Sequence, residues 1–168
     1  NAEIHSQSSV EGALELKREH GIDPAEIERI DLEVFDVAHD IIGGGEEGGK
    51  KDVATKEQAD HSLPYIVAVA LLDGGVYPEQ YRPGRIRRDD VQELLQRVQV
   101  HRSEEYSRRF PEEHACRVRI TTRDGESVET EKDGYEGFHS MPMSWDTVEE
   151  KFRRLSEPHA DGGLQSEI

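Results

Sequence analysis

The longest apolar run of the chain, Pro64 to Leu72, follows directly on a polar approach, and the two together form the stretch TKEQADHSLPYIVAVALLDG from Thr55 to Gly74. Nearly every residue of the run is apolar, yet it is too short to span a bilayer, which predicts a buried helix. Thr55 and Gln58 have the spacing of a capping box, so the helix is expected to begin there. Pro64 lacks a backbone donor and crowds the preceding turn, which predicts a kink or a restart near Ser62. Gly74 and Gly75 stop the helix. On such a helix His61 and Tyr65, four apart, share one face where the polar half meets the buried half. The same spacing suits a core tyrosine beside a histidine at a helix entrance, and spacing alone does not choose between them.

Elsewhere the apolar positions outline shorter elements. Ser8 and Glu11 repeat the capping-box spacing ahead of a helix from about Ser9 to His20, ended by Gly21. Ile30, Leu32 and Val34 alternate with Asp31 and Glu33, which predicts a strand from Glu28 to Phe35. A short helix from Val37 to Ile42 precedes a glycine-rich loop, Gly43 to Asp52. That loop lacks the lysine and hydroxyl of a phosphate cradle and carries two glutamates that repel phosphate. Asp89 is expected to cap a helix with Val91, Leu94, Leu95 and Val98 in one stripe, and Val98 to Arg102 to form a strand. Ser103 to Phe110 reads as a charged helix with a solvated face. Cys116, Val118 and Ile120 alternate with Arg117 and Arg119, and a turn at Asp124 and Gly125 leads to a second extended run, Ser127 to Glu131, which together predict a β-hairpin. Ser144 caps a last full helix bearing Trp145, Val148, Phe152 and Leu155 on one side.

Half-polar strands interspersed with helices imply an α+β fold, an antiparallel sheet of about four strands with helices packed mainly on one face. Residues 1–156 are expected to form that domain. Residues 157–168 read as a linker and the start of a truncated helix, and both ends of the chain read as cuts.

Charge changes the picture of partners. Asp and Glu number 37 against 21 Lys and Arg, a net charge of -16 in 168 residues, with hydrophobic content of 33%. So acidic a surface repels nucleic acid and anionic lipid. The acidic residues are spread along the chain and Arg outnumbers Lys, which fits a halophilic protein; an ordinary acidic cytoplasmic protein has the same balance. Cys116 is the only cysteine, so no internal disulfide or cysteine-based metal site can be built, and a reducing cytoplasm is expected. Neither a leader nor a membrane span is visible. The remaining histidines, His20, His39, His101, His114, His139 and His159, are scattered without ligand spacing.

Three stretches, in order, resemble the MmgE/PrpD family: NAEIHSQSSVEGALEL at Asn1 to Leu16, the Thr55 to Gly74 stretch, and MPMSWDTVEEKF at Met141 to Phe152. The first is most similar to the 2-methylcitrate dehydratase branch. The resemblance implies the smaller α+β lid domain of a two-domain, often homodimeric, cytoplasmic lyase of propionate catabolism, acting on a polycarboxylate without metal or organic cofactor. The helical partner domain of the same polypeptide, with its share of acid and base groups, is absent from this chain. By matching motifs, His5 and Tyr65 are the expected catalytic residues, His61 a supporting one, and Ser6 and Gln7 weaker candidates for hydrogen bonds to a substrate carboxylate. A noncatalytic α+β module, binding a small ligand or another protein, is the alternative.

Overall fold

A four-stranded sheet organises the first 135 residues, seen in a computed structural model that describes residues 2–45, 49–160 and 162–167. Asn1, Asp161, Ile168 and residues 46–48 of the glycine-rich loop lie outside the described residues. A 3-10 turn at Ile4–Ser6 runs into α1 (Gln7–His20), followed by β1 (Ile27–Val34) and a brief α2 (Asp36–Ala38) that continues as a π-helical turn, His39–Gly43. Then come α3 (Lys56–Asp60), α4 (Leu63–Asp73), a 3-10 turn at Pro78–Tyr81, α5 (Pro83–Ile86) and α6 (Asp89–Gln96). The strand β2 (Val98–Arg102), α7 (Glu104–Arg109) and the hairpin β3 (Cys116–Thr122) and β4 (Ser127–Lys132) complete this unit. The second unit, residues 136–168, holds α8 (Trp145–Ser156) and α9 (Gly162–Glu167).

The strands lie in the order β2-β1-β3-β4. Pairing is antiparallel from β1 to β4, but β1 and β2 run parallel, with Ile30 opposite Val98 and Val34 opposite Arg102. The α+β fold with an antiparallel sheet of four strands is as expected, except that this one pair is parallel. The connection from β1 to β2 is a long helical crossover, which returns the chain to the same end of the sheet.

Period-two alternation sorts the sheet into two faces. Ile30, Leu32, Val34, Val98, Cys116, Val118 and Ile120 are buried on one, beneath α1, α4 and α6. A Cβ at Gly12 of α1 would lie 3.0 Å from Val118 and 3.2 Å from Thr130, so the helix meets the sheet at the one position without a side chain. The other face carries charge: Arg119 pairs with Glu129 at 2.6 Å, Glu131 with Arg109 at 3.1 Å and Arg117 at 3.3 Å, and Asp31 with Arg29 and His101. Each exposed pair adds only about 0–1 kcal/mol. A net charge of -16 on one small domain also generates self-repulsion that salt screens. Melting temperature is therefore expected to rise from low to molar salt; a flat profile would remove the halophile inference.

The central stretch resolves into two helices. The predicted capping box forms at Thr55 and Gln58 but belongs to the five-residue α3, and Ser62 then restarts the chain as the N-cap of α4, its Oγ accepting the Tyr65 N–H at 3.1 Å. Pro64 sits in the first turn, where a missing donor costs nothing. Every residue of α4 from Leu63 to Leu71 is buried, as expected of a helix apolar on all sides. The shared face expected for His61 and Tyr65 is corrected accordingly: they stand on either side of an extended residue, Ser62 (φ -122°, ψ 104°).

Three smaller expectations are also corrected. Ser8 lies inside α1 and is buried, because the preceding 3-10 turn moves the helix start back to Ser6. Arg88, not Asp89, occupies the cap of α6. α7 is no fully solvated helix, since its Tyr106 is buried. In the second unit Ser144 caps α8 as expected, accepting the Thr147 N–H at 3.1 Å, while Glu136 accepts the Thr147 hydroxyl at 2.8 Å. Trp145 on α8 is 85% exposed. Among the described residues no helix is long and apolar enough to cross a membrane.

Candidate functional site

His5 stands on the 3-10 turn before α1, where the chain approaches the sheet end formed by the close of β1 and the start of β3. Glu3 caps that turn: one carboxylate oxygen accepts the His5 backbone N–H at 2.9 Å, and the other lies 2.6 Å from the His5 Nδ1. Glu3 and His5 are each largely enclosed, with side chains 13% and 16% exposed.

Aromatic rings fix the imidazole plane from several sides. Phe35, just after β1, meets it edge-on at 5.6 Å; His114, just before β3, stacks on it at 5.6 Å; Phe110 lies tilted at 6.0 Å. Phe35 and Phe110 in turn stack at 4.6 Å, and Tyr135, following β4, lies 5.9 Å from His114. Burial and the charge of Glu3 both raise the pKa of the Tyr135 hydroxyl. The result is an imidazole held by one carboxylate among aromatic rings, an arrangement suited to moving a proton.

Ser6 and Gln7 face their own turn. The Ser6 hydroxyl donates to the Glu3 carbonyl at 2.6 Å and is buried, and the Gln7 amide donates to the Ala2 carbonyl at 3.0 Å. Both hydrogen bonds secure the loop that presents His5.

Tyr65 occupies a different environment. It is fully buried in α4, its hydroxyl donates to the Gln80 carbonyl, and its ring lies 6.3 Å from that of Tyr81. Desolvation pushes its pKa up to about 12. The 3-10 turn Pro78–Tyr81 thus covers the hydroxyl, and among the described residues neither a hydrogen bond nor a ring contact joins Tyr65 to His5. His61, at the end of α3, has its side chain 54% exposed and lies 3.7 Å from Asp60. Ser6 and Gln7 adjoin His5 in sequence, and the turn Ile4–Ser6 packs against α4, the helix that carries Tyr65.

The groups around His5 that sequence reasoning passed over are Glu3, Phe35, Phe110, His114 and Tyr135. Glu3 gave a usable signal, an acid two residues before a motif histidine at a helix entrance. The rest are assembled by sheet topology and carry none. Cys116, expected as core, is buried beneath α1, and burial raises its thiol pKa. Among the described residues no three His, Cys, Asp or Glu groups gather as a metal ion requires.

The chain is 30% identical over 99 residues to a human (Homo sapiens) cis-aconitate decarboxylase, covering 59% of this chain and 20% of that protein. It is 27% identical over 136 residues to the mouse (Mus musculus) cis-aconitate decarboxylase, covering 80% of this chain and 26% of the relative. The matched part is thus about a quarter or less of these relatives' length. The description of the MmgE/PrpD C-terminal domain matches residues 1–168 throughout, and the chain belongs to the MmgE/PrpD family.

Proposed function

We propose that this chain is the lid domain of a longer, cofactor-independent lyase acting on a tricarboxylate, and that His5 is its proton-transferring group. The observation that carries this reading is the Glu3-held imidazole among aromatic rings, within a chain whose relatives are named as decarboxylases of cis-aconitate.

The finer reading is dehydration of 2-methylcitrate, supported by the AEIHSQS motif. Elimination beside a carboxylate requires a base to take the proton on carbon and an acid to meet the departing hydroxyl. A ring nitrogen of His5 serves for one of these. The same nitrogen also suits the second reading, decarboxylation, which the two relatives favour: the bond to the departing carboxylate breaks, its electrons remain on carbon, and a proton is delivered there. Either reaction also needs groups that hold the remaining carboxylates, and these are assigned to the partner domain of the same polypeptide. Tyr65 stays a candidate through its motif, on a helix that packs against the His5 turn, and His61 a supporting one.

The test compares two proteins. The 168-residue chain alone is expected to turn over neither 2-methylcitrate nor cis-aconitate. The full-length polypeptide is expected to dehydrate 2-methylcitrate, and to do so after exhaustive chelation. Release of carbon dioxide from cis-aconitate without dehydration would replace the first reading by the second. Inactivity of the full-length protein toward both, or turnover by the short chain, would overturn the proposal.

A further inference from the structure

We infer that Glu3 is a positioning residue that holds His5 in the tautomer with hydrogen on Nδ1, so that Nε2 is the nitrogen that exchanges protons with substrate. The inference deepens the lyase reading and rests on it for its catalytic consequence, though not for the tautomer itself.

An ionised carboxylate accepts hydrogen bonds and has none to donate. With one Glu3 oxygen taken by the His5 backbone N–H at 2.9 Å and the other 2.6 Å from Nδ1, the hydrogen between carboxylate and ring belongs to the ring nitrogen. In the neutral imidazole Nε2 then carries the lone pair. Capping the 3-10 turn uses only the first of these contacts. The second adds nothing to the cap but fixes the ring, and Phe35 and His114 on two of its sides hold the plane in which Nε2 points. A carboxylate that sets a catalytic histidine's tautomer is among the larger indirect contributions known in acid–base sites, because the wrong tautomer presents a hydrogen where a lone pair is needed.

Glu3→Gln separates the two roles. Its amide oxygen can still accept the backbone N–H, and the turn stays capped, but the amide nitrogen then faces Nδ1 as a donor. That reversal draws the hydrogen to Nε2. Nitrogen-15 spectra of the imidazoles in this chain, with His5 assigned by comparison with His5→Gln, should show the Nδ1–H tautomer in the parent and a shift toward Nε2–H in Glu3→Gln, with the His114 signals retained. In the full-length enzyme the same change should lower kcat at least about tenfold while KM moves less than about threefold. An Nε2–H tautomer in the parent chain overturns the inference even without a folded variant, as does an unchanged tautomer in Glu3→Gln. A shifted tautomer with undiminished kcat leaves the Glu3 contact standing but removes His5 from the chemistry, and with it the proposed function of this site.

Discussion

Replacing His5 by glutamine in the full-length polypeptide should lower kcat by at least about a hundredfold, the lower end of what positioned acid–base groups contribute. The Glu3 cap on the His5 backbone N–H and the loop hydrogen bonds of Ser6 and Gln7 do not involve the ring, so the entrance to α1 should persist. What disappears is a ring nitrogen able to take and return a proton. Melting of the 168-residue chain should shift modestly, by about 1–2 kcal/mol, for lost ring contacts with Phe35, Phe110 and His114. Retention of kcat within about threefold would place His5 among the packing groups and remove it as proton carrier.

Tyr65→Phe should act on stability instead. The hydroxyl is fully buried and spent on the Gln80 carbonyl, so its deletion should cost about 1–3 kcal/mol, read from denaturant or thermal unfolding of this chain. A pH signature accompanies it. Burial raises the Tyr65 pKa from its ordinary value of 10.0 to about 12, so the folded state keeps a proton that the unfolded state gives up first. Stability from this group is whole below the unfolded value and is lost as pH climbs from about 10 toward 12. Tyr81 and Tyr106, also raised by burial, add to the same alkaline loss. The phenylalanine variant should start lower and decline less steeply over that window. A tenfold loss of kcat in the full-length enzyme with stability unchanged would instead put the hydroxyl on substrate, as its motif implies.

Local signals carried far in this chain, and failed where distant segments meet. Thr55 with Gln58, Ser62 with Pro64, Gly21 and Ser144 each act within a turn of themselves, and each does what its chemistry predicts. Alternation in β1 and β3 likewise sorted Ile30, Leu32, Val118 and Ile120 to the buried face. Ser8 misled because its spacing to Glu11 is real but the three residues before it already coil. The parallel pairing of β1 with β2 has no signature in either strand, since direction is set by the crossover between them. The surroundings of His5 were hidden for the same reason: Phe35, Phe110, His114 and Tyr135 come from three separate junctions, and only the sheet makes them neighbours.

The crossover also sets an order of assembly. The hairpin of β3 and β4 closes over a few residues around Gly125, a step of microseconds, whereas Val98 reaches Ile30 only after the chain has looped through α4 and α6. Loop-closure entropy must be met before that parallel ladder returns anything, and packing of α4 and α6 is what shortens the effective loop. β2 is therefore expected to pair last. Mutations in α4 should slow refolding as well as lower stability, while mutations confined to β2 should chiefly hasten unfolding.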